Sequence, residues 1–247
     1  MFPEPAWLLE QWPAPSTIGR VAPPALLWGL GALWLAGWLK TRRGLRSGYS
    51  RKIFHFLIFA AATVTHLAEG LPGVLVFGTM TGLVIGYALL RGDGHLLYEA
   101  MARASDRPHR TWYIVVPFIA TLMGGLTANL LFPSGAAVGY LVTGVGDAIG
   151  EPVGTRWGRH RYRVPSRRSV PVTRSVEGSA AVFLVSFGAV LLLGWHGAVQ
   201  PFSGLLITAA GIALAVALAE ALAPHGVDNF VLQVLASGLA HRFLFSP

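Results

Sequence analysis

Between positions 146 and 179 the chain runs Gly146-Asp147-Ala148-Ile149-Gly150-Glu151, then Gly154-Thr155-Arg156-Trp157-Gly158-Arg159-His160, then Arg174-Ser175-Val176-Glu177-Gly178-Ser179. Carboxylates, glycines and arginines at this density suit the handling of a phosphate. Asp147 and Glu151 are four apart, so on a helix they share one face. An acid within an apolar helix is costly and marks a functional position. Gly154 and Gly158 let backbone approach a ligand closely. Arg156, Arg159 and Arg174 supply forked donors that match phosphate oxygens. Ser175 or Ser179 can cap the helix that follows, and the free N–H groups at its start, through Glu177 and Gly178, attract an anion. Carboxylates beside phosphate ligands imply a divalent cation, Mg²⁺, bridging the two. The plainer reading is a solvated basic loop before a capped helix, with glycines that serve packing.

Two smaller groups accompany this one. Glu220, His225, Gly226, Asp228 and Asn229 fall in a connection with no basic residue. Glu220 lies near the end of an apolar stretch, where a lone carboxylate needs a partner or a metal. Asp228 reads equally as a metal ligand and as the N-cap of the last helix. Asp147, Glu220 and Asp228 form the expected metal-ligand set. The third group is Arg51-Lys52-Ile53-Phe54-His55, in which His55 follows Arg51 by one helical turn. A single histidine at a helix end more commonly packs than reacts. His66, His95, His109, His196 and His241 show no metal-ligand spacing and read as interfacial.

The elements that carry these groups belong to a membrane protein. Of 247 residues, 53% are hydrophobic and 12% charged, about half the charged share of a soluble domain. So few charges cannot coat a water-exposed surface. Apolar runs predict helices over Pro23–Leu39, Ile53–Ala68, Pro72–Leu90, Trp112–Phe132, Gly135–Ile149, Ser179–Trp195, Leu205–Leu222 and Phe230–Phe245. The fifth and eighth are short and polar, so neighbouring helices should shield them. The expected fold is all-α and polytopic, with seven to eight transmembrane helices. One transmembrane domain, 23–247, follows an extracytoplasmic segment, 1–22. Its cytoplasmic loops fall at about 40–52, 91–111, 150–178 and 223–229.

Charge sets the orientation. Alternate loops hold 17 of the 19 lysines and arginines, while those around Gly70, Pro133 and Gly197 hold none. By the positive-inside rule the basic loops face the cytoplasm. The chain is therefore expected in the cytoplasmic (inner) membrane, with its active-site cleft on the cytoplasmic side. The net charge of +8 resides in these loops, without the aromatic-interleaved stripes of a nucleic-acid binder. With no cysteine, thiol catalysis and disulfides are excluded. Residues 1–15 carry four prolines and no basic residue, and a cleavable signal peptide is not expected.

The Gly146-Asp147 pair, the Gly154-to-His160 stretch and the Arg174-to-Ser179 run resemble the polyprenol and phytol kinase family, which includes dolichol kinases. Members carry a Gly-Asp pair, a Gly-x-x-x-Gly-Lys/Arg stretch and a Lys-Ser-x-Glu-Gly-Ser run. Arg51-Lys52 with His55, and Glu220 with Asp228-Asn229, are also similar to family features. The resemblance spans about Arg51 to Asn229. It implies transfer of the γ-phosphate of a nucleoside triphosphate, CTP or ATP, to a lipid alcohol such as a polyprenol, phytol or diacylglycerol, with Mg²⁺. It places Arg51, Lys52, Gly154, Arg156, Gly158, Arg159, Arg174, Ser175, Glu177, Gly178 and Ser179 around the nucleotide. Asp147 is the first candidate base, with Glu151 and His55 behind it, and Glu177 would orient Arg174 or bind the metal. Arg174 stands where lysine is usual, which keeps the charge and changes the geometry. The motifs also resemble those of phosphatidate cytidylyltransferases, whose C-terminal signature has two nearby Asp in an Asp-Arg-x-Asp-Ser run, whereas here Asp228 is followed by Asn229 and no second Asp. A transporter is the other alternative, though its acids would lie nearer the bilayer midplane. Partners are the lipid alcohol, the nucleotide and membrane lipid, with a homodimer admitted as an assembly.

The orientation is testable because the chain has no cysteine. Single cysteines at Ser47, Ser105 and Ser166 should resist an impermeant maleimide in intact cells and react after lysis. Ready labelling of Ser166→Cys in intact cells would reverse the topology.

Overall fold

The computed structural model describes residues 11–164, 172–223 and 226–246. Ser166, His225, the His196 side chain and the first ten residues, named above, lie outside the described residues. The chain divides into two compact units, 1–111 and 112–247, within what reads in sequence as one domain.

The first unit contains α1 (Pro15–Arg43), α2 (Ser47–Arg91) and the short α3 (Leu96–Met101). Proline in the first turn of α1 suits a position whose N–H has no partner in any case. The helix therefore begins eight residues before the predicted start at Pro23. Its end is set by Gly44 at φ 68°, a left-handed cap that glycine adopts without strain. Lys40, Arg42 and Arg43 fill its last turn, where they oppose the helix dipole. At about 1.5 Å per residue, α2 is twice as long as a bilayer core is thick. It is not straight: Gly70, at φ 62° and ψ −154°, interrupts it. Trp28 donates from its indole nitrogen to the Leu57 carbonyl at 3.0 Å. A Cβ on neighbouring Gly29 would lie 3.6 Å from Val84. Residues before and after Gly70 thus lie beside the same turn of α1, so the chain reverses at the glycine. The halves of α2 are the second and third predicted spans.

The second unit contains α4 (Trp112–Leu131), α5 (Ala136–Trp157), the strands β1 (Arg161–Val164) and β2 (Val172–Ser175), α6 (Val176–Gly197), α7 (Phe202–Leu222) and α8 (Asp228–Ala240), which continues as a π turn, His241–Phe245. Every predicted apolar segment is helical, and the fold is all-α apart from the antiparallel β1–β2 hairpin. Helices α1, α2, α4, α6 and α7 are long and apolar enough to cross a membrane. The two predicted short spans are α5 and α8, and both are shielded. Ala136 to Tyr140 and Val142 to Gly144 of α5 are buried, as are Leu232, Gln233, Ala236 and Ser237 of α8. Their core is built on Val138, Val142, Val182, Val190, Val216 and Leu232. Outward-facing Leu184, Leu192, Ile207, Leu214 and Leu218 leave the exterior apolar, which suits lipid rather than water.

In the first unit the two basic loops meet. The Lys40 ammonium donates to the Glu99 carboxylate at 2.9 Å and to the carbonyls of Glu99 and Ala102 at 2.7 Å. Arg110 donates to Glu99 at 2.7 Å and to Asp93 at 2.8 Å. Burial alone would raise the Glu99 pKa. The bonds from Arg110 and Lys40, with one from the Gly94 N–H, outweigh burial and bring it to about 2. A depressed carboxylate stabilises the fold above its ordinary value and loses that contribution as pH falls through the folded one. Melting temperature should therefore fall between pH 5 and pH 2 by more in wild type than in Glu99→Gln, which should melt lower at pH 7. Parallel pH profiles for the two proteins would remove Glu99 from this role.

Candidate active site

The predicted phosphate-handling segment forms one end of the second unit. Its organiser is the β1–β2 hairpin, in which Tyr162 pairs with Arg174 and Arg163 with Thr173. Strand side chains alternate between faces. Arg161 and Arg163 are therefore exposed, while Arg174, with Tyr162 opposite, turns inward. There the Arg174 guanidinium donates from Nε to Glu220 of α7 at 3.1 Å and from Nη2 to Asp228 of α8 at 3.3 Å. The Arg174 side chain is 12% exposed and both carboxylates are 10% exposed. One guanidinium thus faces two carboxylates in a largely desolvated position.

The turn into α6 is fixed by four contacts. Ser175 is the cap, accepting from the Gly178 N–H at 3.1 Å, as the sequence allowed. The Val176 N–H donates to the His160 carbonyl at 3.0 Å. Two of the first N–H groups of α6 are therefore already engaged within the protein. Ser179, the alternative cap, instead meets the Tyr162 hydroxyl at 2.8 Å and pins β1. Glu177 does not orient Arg174. Its carboxylate accepts from the His160 backbone N–H at 3.3 Å and meets His160 Nδ1 at 2.8 Å.

The glycines serve helix contact. A Cβ on Gly150 would lie 2.8 Å from Val182, and one on Gly154 would lie 2.9 Å from Ser175 Oγ. The α6 start fills the space beside Gly154 and Gly158, where the sequence suggested a ligand. Real side chains there would force the two helices apart. Asp147 and Glu151 follow Gly146 and Gly150 on α5, about 100° round the helix from that contact face, and both are partly buried. Arg156 and Arg159 are exposed, with the Arg156 guanidinium 5.1 Å from the centre of the Trp157 ring.

The structure thus brings Arg174, Ser175, Gly178, Glu220 and Asp228 together beside the end of α5. Asp228 is not the N-cap of α8: Val227 holds that position, and Asp228 accepts the Asn229 N–H at 3.1 Å. Among the described residues, no group of three or more acids or histidines is gathered as a metal cage. Arg51, Lys52 and His55 belong to the first unit, on the opening turns of α2. Lys52 is buried there, and the His55 ring lies 4.5 Å from that of Phe59. The sequence reading also missed a polar stripe on α8, Asn229-Gln233-Ser237, whose four-residue spacing was its one visible signal.

No family model and no solved structure matches the chain. It is similar to the phytol kinase of Synechocystis sp., 37% identical over 113 residues. That match covers 45% of this chain and 45% of the relative, less than half the length of either. It supports a relationship between this chain and the polyprenol and phytol kinase family.

Proposed function

We propose that the chain is a membrane-embedded lipid alcohol kinase, which moves the γ-phosphate of a nucleoside triphosphate, CTP in the first instance, to a long-chain alcohol. The observation that carries this reading is the Arg174–Glu220–Asp228 cluster beside the acids of α5 and the arginines of the hairpin. Similarity to a phytol kinase supports a lipid hydroxyl as acceptor. An open cavity of about 330 Å³, lined by Val115, Val116, Ile119, Ala120, Val227 and Phe230, adjoins Asp228 and has no polar lining. It suits a hydrocarbon chain whose hydroxyl reaches the charged end.

Phosphoryl transfer needs alignment and charge neutralisation more than covalent chemistry. Exposed Arg156, Arg159, Arg161 and Arg163 would hold the triphosphate. Asp147 would take the proton of the alcohol, with Glu151 on the same helix face. Mg²⁺ uses one or two protein carboxylates and completes its shell with phosphate oxygens and water. Asp147 and Glu151 fit that sparse mode, and the metal would offset charge on the transferring phosphate. In this reading Glu220 and Asp228 act by holding Arg174, the role their contacts support, in place of direct metal ligation. The cleft would open on the cytoplasmic side of the inner membrane.

The test is to incubate purified protein with a panel of lipid alcohols and CTP labelled separately at the α and γ positions. Label from the γ position in lipid is expected. Label from the α position would mean cytidylyl transfer, and none from either would revive a transport role. Within the same assay, Asp147→Asn should cut the rate more than about tenfold, equivalent to about 1.4 kcal/mol of transition-state stabilisation, with little change in melting. Retention of most activity would remove Asp147 as the base.

A further inference from the structure

The last helix carries a pattern that phosphoryl transfer does not use. Asn229, Gln233, Ser237 and His241 recur every four residues, so one face of this segment is polar for about 18 Å. Partners face it at several levels. Asn229 Nδ2 donates to Thr121 Oγ1 at 2.8 Å. Gln233 Nε2 donates to the carbonyls of Thr121 at 3.2 Å and Asn229 at 2.9 Å. His241 Nδ1 meets Ser134 Oγ at 2.7 Å. Across from Gln233, Asn129 Nδ2 donates to the Tyr140 hydroxyl at 2.6 Å and the Gly125 carbonyl at 2.8 Å.

The amide nitrogens of this seam are satisfied, but three of its oxygens are not. Gln233 Oε1, Asn129 Oδ1 and Ser237 Oγ are buried and have no hydrogen-bond partner among the described residues. Gln233 and Ser237 are 0% exposed and Asn129 is 1% exposed. Turning either amide over does not help, because its oxygen would then face the carbonyls that its nitrogen now serves. Unpartnered polar atoms among apolar helices are strongly disfavoured, so a donor must come from outside the chain. These polar atoms crowd against two glycines. Gln233 Oε1 and the Tyr140 hydroxyl lie 3.4 and 3.0 Å from where a Gly125 side chain would begin, and Ser237 Oγ crowds the same point on Gly139.

We propose that α4, α5 and α8 enclose bound water at Asn129, Gln233 and Ser237. Water fits because it donates two hydrogen bonds and can bridge two acceptors at once. A monovalent cation fits poorly, since Asn129, Tyr140, Gln233 and Ser237 bring no charge to offset it. The hydrated seam would fix the rotation of α8, and with it the approach of Asp228 to Arg174.

The test is independent of catalysis: water-edited solid-state NMR of the full chain in lipid bilayers, with ¹⁵N-labelled asparagine, glutamine and valine. Polarisation should pass from water to Gln233 Nε2 and Asn129 Nδ2 several-fold faster than to the backbone amides of Val138 and Val142, which are equally buried. Transfer as slow as at those valines would show a dry seam and overturn the proposal. Melting curves in sodium and in choline buffers at equal ionic strength should coincide. Stabilisation specific to sodium would replace water with a cation and overturn it equally. Loss of kinase activity in the same preparation would bear on the proposed function and leave this inference untouched.

Discussion

A guanidinium with 12% of its side chain exposed needs opposing charge, and Arg174 finds it on two helices at once. Removing water from a charge is expensive, and only close, well-directed partners offset the cost. Arg174 leaves β2, Glu220 ends α7 and Asp228 begins α8. The whole of α6 separates β2 from the other two segments in sequence, so the pairing fixes how the hairpin meets both helix ends. Breaking a buried pair of this kind by deleting one partner typically costs about 3–5 kcal/mol, a large share of the stability of a domain. Lysine would offer one compact ammonium, whereas the planar guanidinium reaches the two carboxylates from separate nitrogens, Nε and Nη2, a physical reason for arginine at this position.

The rest of the site follows from that anchor. With Arg174 turned inward, strand alternation sends Arg161 and Arg163 outward into exposed positions. Tyr162 on the inner face reaches Ser179 and ties the hairpin to α6. Glycines on α5 let α6 come close enough for Gly150 and Gly178 to lie in contact. The acids Asp147 and Glu151 then stand on the flank of this helix pair, where the proposed phosphoryl transfer would be sensitive to small displacements. Apolar association between helices is weak in lipid. Close glycine contacts and charged pairs therefore carry much of what a hydrophobic core supplies in water.

Sequence periodicity exposed much of this and hid a definable remainder. The apolar runs located every long helix but not the short α3, which lies within the predicted loop 91–111, and the polarity of the fifth and eighth correctly implied that neighbours shield them. Ser175 was legible as a cap because serine before a helical run has few other roles. The partner of Arg174 was not legible, because proximity in space between residues 174, 220 and 228 leaves no trace in spacing. The hairpin was hidden by its shortness and its arginines, which look like any solvated loop. Gly154 and Gly158 were read as room for a ligand, whereas Ser175 occupies it. Glycine reports only that something approaches closely, and not what. The stripe on α8 was visible at four-residue spacing, but His241 had been read alone as interfacial.

The central claim is that Glu220 and Asp228 are held by Arg174, and thermal melting in bilayers tests it directly. Arg174→Met should lower the melting temperature sharply, because two desolvated carboxylates lose their counter-charge. Adding Glu220→Gln and Asp228→Asn to that variant should restore part of the loss, since the orphaned charges are gone. If the triple variant instead melts lower still, by the sum of the separate effects, the carboxylates do not depend on Arg174 and the account fails.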